Sequence, residues 1–133
     1  MPRTLSTLVA ALTLAAAPAF AGIVDSPIPA PFTQHVFSVP GVIGGGGGLQ
    51  TFFSCTNLDA VNVTVGVEVF AAVGGAPITD PVATSLSVVP GGTVIFGCGG
   101  AVGISINSNL GCGGISKGSA RILATSKKLL CTA

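Results

Sequence analysis

The chain has 133 residues, of which 49% are hydrophobic and only 7% are charged, and its formal net charge is +1. Such an apolar composition is the reverse of that of a disordered chain, and a single domain of this length buries a modest core. A charge this close to zero leaves no basic surplus for a phosphate backbone, which argues against nucleic-acid binding.

Residues 1–21 have the features of a secretory signal peptide. Arg3 supplies the positive start, an apolar run follows, and Ala19 and Ala21 place small residues at the two positions that a signal peptidase recognises. The apolar run is too short to span a membrane. We therefore expect cleavage after Ala21 and secretion to the periplasm, the cell surface or the medium, with no transmembrane segment left in the mature protein.

Residues 22–48 are predicted to form an extended N-terminal segment rich in proline and glycine. Three prolines, spaced two residues apart, favour a polyproline-like conformation at its start. Residues 32–39 predict a strand that ends at Pro40. The five consecutive glycines at 44–48 predict a flexible loop with no side chain to pack.

Residues 49–133 are predicted to form one β domain. Its strongest signal is a run of five valines at every second position, which predicts a strand with one buried and one largely wet face: Val61, Val63, Val65, Val67 and Val69. Further strands are predicted at residues 49–55, 83–89, 93–98, 103–107 and 119–131, the last with a slip at 126–128. With residues 32–39, the count is about seven strands separated by turns, which is typical of a β-sandwich.

The even number of cysteines in an exported chain predicts two disulfides among Cys55, Cys98, Cys112 and Cys131. Three pairings are possible. We favour Cys98–Cys112 with Cys55–Cys131, because Cys98 and Cys112 lie in identical Gly-Cys-Gly-Gly tetrapeptides whose glycines let the backbone meet disulfide geometry. Closing that short loop contributes roughly 3 kcal/mol. A zinc site is the competing interpretation, but the chain has no Cys-x-x-Cys pair.

Residues 54–96 resemble the immunoglobulin-like modules of bacterial surface and exported proteins. The resemblance rests on Asn57 at the first turn, on the valine strand, and on the pattern Leu86-x-Val88-x-Pro90-Gly91-x-Thr93-Val94-x-Phe96. It implies an all-β fold, an immunoglobulin-like antiparallel β-sandwich of about seven strands stapled by disulfides. It implies no particular activity, since such modules serve many functions.

The residue inventory predicts a protein that is not an enzyme and that holds no cofactor or metal. The chain has one histidine, His35, and no tyrosine, and no serine lies in a Gly-x-Ser-x-Gly motif. His35 shares a face of its predicted strand with Phe37 and Val39, which favours a packed or edge histidine. Asn62 begins an Asn-Val-Thr glycosylation sequon, a pattern that also arises by chance.

Two functions fit these features. The first is a structural or surface-assembly protein that self-associates, with residues 32–42 as a strand docked on a neighbouring sheet. The near-zero charge permits close approach of copies. Every acidic residue lies at or before Asp80 and every mature basic residue at or after Lys117. Chance among eight residues is one explanation of this segregation, and attraction between subunits or between neighbouring strands is the other.

The alternative is a monomeric extracellular binding module of the adhesin or protease-inhibitor type, with another extracellular protein as its partner. Its contact surface is predicted in the loop between Cys98 and Cys112, since recognition residues often lie on loops held by a rigid scaffold. The polar candidates there are Ser105, Asn107, Ser108 and Asn109. The basic residues between 117 and 128 form either a solvated strand face or a contact for anionic envelope polymers.

Overall fold

The computed structural model describes residues 23–24, 26–45, 48–100 and 103–133, so the predicted signal peptide lies outside the described residues. The described part is all-β, as predicted, with no helix. Its eight strands are β1 (Gln34–Gly44), β2 (Phe52–Asn57), β3 (Val63–Ala71), β4 (Leu86–Val88), β5 (Thr93–Gly97), β6 (Ser108–Asn109), β7 (Ile115–Ala124) and β8 (Leu129–Thr132). The predicted count of seven is therefore wrong by one strand. No helix in this part is long and apolar enough to cross a membrane.

The strands form two four-stranded sheets, in the orders β1-β7-β3-β4 and β6-β5-β2-β8. Both sheets contribute to one buried cluster, with Val65, Val67 and Ile122 from the first and Phe53 and Phe96 from the second. All strand pairs are antiparallel except β5–β6, which is parallel. The second sheet is thus mixed, where the sequence predicted a purely antiparallel sandwich.

Several predicted strands change their bounds in the fold. The strand predicted at 119–131 is in fact two strands, because β7 pairs with β1 and β3 while β8 pairs with β2 in the other sheet. The slip at 126–128 is the turn between them. The strand predicted at 103–107 is displaced to β6, and β1 continues past Pro40 to Gly44 through a register shift. Since β1 is part of the first sheet, that sheet includes residues that the sequence placed ahead of the sandwich.

The valine strand buries both of its faces. Four valines point into the core and are fully buried, namely Val63, Val65, Val67 and Val69, whereas Val61 lies before β3 and is exposed. The opposite face was predicted to be wet, yet Gly66, Glu68 and Phe70 on that face are buried as well. The prediction failed because the chain ahead of β1 crosses back over this outer face of the first sheet.

Two disulfides join Cys55 to Cys131 and Cys98 to Cys112, the pairing that the sequence favours. Disulfides of this kind are typical of an oxidising compartment. Cys55 and Cys131 lie directly opposite each other on β2 and β8. Gly44 is buried beside the other bridge, where a Cβ atom would lie 2.9 Å from the Cys98 Cβ. Gly44, the first residue of the glycine run, therefore packs closely against the Cys98–Cys112 bridge, although the run was predicted to be a flexible loop.

Candidate functional site

The outer face of the first sheet carries an N-terminal strap, by which we mean residues 23, 24 and 26–33. Its main anchor is Arg121, at the centre of β7. The Arg121 guanidinium donates from Nη1 to the carbonyl oxygens of Ile23 (3.0 Å) and Ser26 (2.7 Å), and from Nη2 to that of Pro27 (2.8 Å). Its Nε donates to the Glu68 carboxylate. These three hydrogen bonds from the guanidinium to Ile23, Ser26 and Pro27 all go to main-chain oxygens.

The ion pair beneath the strap is fully enclosed. Arg121 and Glu68 are directly opposite each other in the β7–β3 register, and their side chains are 0% and 5% exposed. The guanidinium carbon also lies 6.0 Å from the centre of the Phe70 ring. Burying two charges is costly unless each is paired and hydrogen-bonded. The three strap carbonyls and Glu68 together supply those partners.

A second anchor lies at the other end of the strap. The Phe32 side chain is 4% exposed and sits over Gly66 on β3. A Cβ atom on Gly66 would lie 2.4 Å from the Phe32 Cζ and 2.6 Å from the Pro81 carbonyl oxygen, so only glycine leaves room for this ring. Immediately afterwards, Thr33 donates its amide to the Ala124 carbonyl at 3.1 Å and leads the chain into β1.

A cavity of about 360 Å³ opens beside the strap at the end of β3. Ile23 of the strap, Phe70 and Ala72 form its apolar side, and Lys117 and Ser119 from β7 complete it. Lys117 is exposed. The cavity therefore combines an apolar wall with one cation at its rim.

At one end of the sandwich, buried Asn57 joins two turns. Its Nδ2 donates to the carbonyl oxygens of Val61 and Val88, both at 2.8 Å, and its Oδ1 accepts from the Asp59 amide at 2.7 Å. The Asn57 amide donates in turn to the Gly92 carbonyl at 2.9 Å. One fully buried amide side chain thus fixes the β2–β3 turn against the β4–β5 turn.

The two turns that Asn57 joins expose apolar side chains, which we call the apolar tip: Leu58, Val61 and Val89. These residues are 60%, 62% and 57% exposed, respectively. Single exposed apolar residues are common, but grouped ones mark interaction surfaces. Because the turns are held by Asn57, the three side chains are presented on a fixed backbone.

A polar cluster around Asp59 borders the apolar tip. The Asp59 carboxylate accepts from the Ser126 hydroxyl (2.7 Å), the Ala60 amide (2.8 Å) and the Lys128 ammonium (3.3 Å). The Ser126 and Ala60 hydrogen bonds lower the pKa of Asp59, with a smaller contribution from Lys128, and desolvation opposes them. The cluster ties the β2–β3 turn to the β7–β8 turn.

The polar side chains predicted to form a binding loop mainly hold that loop in place. Asn107 Oδ1 accepts from the Ile95 amide at 2.8 Å, and Ser108 Oγ donates to the Thr84 carbonyl at 2.9 Å. Asn109 Oδ1 accepts from the Gly111 amide at 2.9 Å. Of the four candidates, Ser105 is an exposed residue for which the structure shows no such bond.

His35 lies on β1, at the edge of the first sheet. Its Nε2 is 3.1 Å from the Phe37 carbonyl oxygen and 3.0 Å from the Ser38 hydroxyl. In the part of the chain that the structure describes, the acidic side chains also have partners within the fold: Glu68 accepts from Arg121, Asp59 from Ser126, and Asp80 from the Val82 amide at 2.8 Å. In the described part of the chain, no three His, Cys, Asp or Glu side chains converge as metal ligands.

Sequence reasoning did not identify Arg121 as a functional residue. The available signal was a lone arginine between apolar neighbours on a predicted strand, with Glu68 at an outward position of the valine strand. Charged residues placed in apolar strands are rarely buried without a partner.

Comparison of the chain with known protein families, with curated proteins and with solved structures found no match.

Proposed function

We propose that this protein is an exported, non-enzymatic structural subunit that self-associates outside the cytoplasm, built on an immunoglobulin-like sandwich. The observation that carries the proposal is the apolar tip, where Leu58, Val61 and Val89 are exposed on turns fixed by buried Asn57. Burying apolar surface contributes roughly 25 cal/mol per Å². A rigid backbone also lowers the ordering cost of docking.

The charge balance supports association between copies. Without Arg3 of the predicted signal peptide, four basic residues balance four acidic ones. Two of the acids are already paired within the chain, Glu68 with Arg121 and Asp59 with Lys128. Little net repulsion therefore opposes the close approach of two molecules.

The sheet edges favour docking through the tip over strand addition. Edge strand β1 contains Pro40 and several register shifts, and β4, β6 and β8 are only two to four residues long. Proline, bulges and short edge strands all discourage pairing with another sheet. Residues 32–42, proposed from the sequence as the docking strand, lie mostly in β1, which pairs with β7 of the same chain.

Sedimentation velocity and native mass spectrometry of the oxidised chain 22–133 test this function. We expect oligomers that grow with concentration and that are lost in the triple variant Leu58→Ser, Val61→Ser, Val89→Ser. The matched control changes three other exposed valines, Val24→Ser, Val73→Ser and Val82→Ser, and should assemble like the wild type. A wild-type chain that stays monomeric at high micromolar concentration contradicts the proposal. Assembly by a folded tip variant contradicts it too.

A further inference from the structure

We infer that the cavity beside the strap is a binding site for a small aliphatic carboxylate, that is, an anionic head group on a short hydrocarbon chain. The cavity has a volume of about 360 Å³ and lies at the end of β3. Pockets for small molecules typically have volumes of roughly 300–1,000 Å³, so a short chain fits this one better than a long chain. The inference does not depend on self-association, and it requires no movement of the strap.

One side of the cavity is apolar and is held in place by the fold. Phe70 lies at the end of β3, Ala72 follows in the next turn, and Ile23 belongs to the strap. The Ile23 carbonyl oxygen accepts from the Arg121 guanidinium at 3.0 Å, so the buried ion pair with Glu68 fixes the part of the wall that Ile23 forms. A preformed wall lowers the ordering cost of binding, and a hydrocarbon chain that covers it removes apolar surface from water.

The other side of the cavity supplies hydrogen-bond donors. Lys117 and Ser119 are two residues apart on β7, so their side chains project from the same face of the sheet, and both line the cavity. Within the described part of the chain, neither the Lys117 ammonium nor the Ser119 hydroxyl has a hydrogen-bond or ion-pair partner, whereas Lys128 is paired with Asp59. An ammonium and a hydroxyl both donate to carboxylate oxygens. The two groups can therefore bind one anionic head group.

The charge of the lining residues favours a carboxylate over other head groups. Lys117 is the one charged residue among the described residues that line the cavity. A carboxylate carries one negative charge and matches it, whereas a phosphate group carries about −1.5 to −2 at neutral pH and needs more cations. The described lining also contains no acidic side chain, so the ammonium group of an amino acid has no partner there. A monocarboxylate with an aliphatic chain therefore fits both sides of the cavity.

Titration of the oxidised chain 22–133 with sodium octanoate tests the site, with calorimetry for the affinity and two-dimensional NMR for the location. We expect saturable binding, with amide shift changes centred on residues 70–75 and 117–119. Butanoate, hexanoate and octanoate compare chain lengths, and each added methylene should strengthen binding by up to about fourfold. The inference is overturned if the folded chain shows no saturable binding, if affinity does not rise with chain length, or if the shift changes centre elsewhere.

Two variants test the two sides of the cavity separately. Lys117→Gln removes the cation, and we expect octanoate to bind about two- to fivefold more weakly, as for the loss of an exposed ion pair, while neutral 1-octanol binds as it does to the wild type. Lys127→Gln, at an exposed lysine outside the cavity, is the matched control and should leave octanoate binding unchanged. Ala72→Phe fills the apolar side and should abolish binding of both compounds, whereas Ala83→Phe, at an exposed position outside the cavity, should not.

Each of the other outcomes contradicts a specific part of the inference. Equal weakening of octanoate binding by Lys117→Gln and Lys127→Gln overturns the role of the carboxylate, and octanoate binding by a folded Ala72→Phe chain overturns the cavity as the site. If Ala72→Phe does not fold by circular dichroism, the chain-length series and the exposed change Lys117→Gln decide instead. A chain that binds octanoate but stays monomeric contradicts only the proposed function, and a chain that assembles without binding octanoate contradicts only this inference.

Discussion

Glu68 on β3 and Arg121 on β7 face each other directly across the first sheet and form a buried ion pair. This pair joins an acidic residue of the first half of the chain to a basic residue of the second half. Because β3 and β7 are neighbouring strands, an acid in the first half of the chain meets a base in the second half within one molecule. Asp59 and Lys128 repeat the arrangement between two turns. The Glu68–Arg121 contact is an attraction between neighbouring strands, one of the explanations that the sequence left open beside chance and attraction between subunits.

Removing one member of the ion pair should be more damaging than removing both. Arg121→Met leaves the Glu68 carboxylate buried without a partner, and we expect the free energy of unfolding to fall by about 3–5 kcal/mol. The double variant Arg121→Met, Glu68→Met should recover part of this loss. Urea unfolding measures both effects. The exposed change Lys117→Met is the control and should be close to neutral, and a double variant less stable than Arg121→Met would contradict the prediction.

Gly44 should not tolerate even a methyl group. The Cβ of alanine there would lie 2.9 Å from the Cys98 Cβ and 3.0 Å from the Cys112 Cβ, so the bridge or β1 must shift. We expect Gly44→Ala to lower the free energy of unfolding by about 1–3 kcal/mol. Gly114→Ala is the matched control, because open space surrounds that position. Thermal unfolding of the oxidised proteins compares them, and equal stability would refute the packing argument.

The stabilisation that Asp59 provides should disappear in acid. Its pKa is lower in the folded state than in the unfolded state, because Ser126 and Ala60 donate to the ionised carboxylate. The stabilisation is therefore complete above the unfolded pKa of about 4 and is lost as pH falls through the lower folded value. We expect the stability gap between wild type and Asp59→Asn, present at neutral pH, to narrow in this acid range.

Urea unfolding at a series of pH values measures that gap. The control is Lys127→Gln, which changes one exposed charge near the same turn. Its difference from wild type should not follow the titration of a carboxylate. A gap between wild type and Asp59→Asn that stays constant from neutral pH into acid would show that the Ser126 and Ala60 bonds do not favour the ionised form.

The two disulfides should differ in their effect on stability. In the chain-entropy account a bridge stabilises more when it closes a longer loop. The sequence separations are 14 for Cys98–Cys112 and 76 for Cys55–Cys131. This predicts losses of about 3 and about 4.5 kcal/mol, respectively, for the paired alanine variants. Urea unfolding of the two double variants measures both losses of stability. A larger loss on removal of the Cys98–Cys112 bridge would contradict the prediction.

Local patterns accounted for much of the fold. The valine alternation predicted β3 and its core face, and the strand predicted at residues 93–98 is β5. The division of residues 119–131 could not be predicted in this way. Two strands joined by a turn have the same local sequence pattern whether they lie in one sheet or in two. The assignment to two sheets follows from the partner strands, since β7 pairs with β1 and β3 whereas β8 pairs with β2.

The candidate sites also differ in whether local sequence patterns reveal them. The disulfide-bounded loop was visible in the sequence because its glycines and polar residues are local. In the fold, however, Asn107 bonds to Ile95 on β5 and Asn109 bonds to Gly111 within the loop. The contact between Arg121 and the strap was not visible, because Arg121 lies 98 residues from Ile23, whose carbonyl oxygen it binds.

The amino-acid sequence by itself determined the all-β class, the core face of β3 and the presence of two disulfides, because each follows from side-chain periodicity or residue counts. Only the tertiary structure decided that the outer face of β3 is buried and that Arg121 and Glu68 lie beneath the strap. Alternation shows which side chains share a face of a strand. It contains no information about which distant segment comes to lie over that face, since this depends on contacts between residues far apart in the chain.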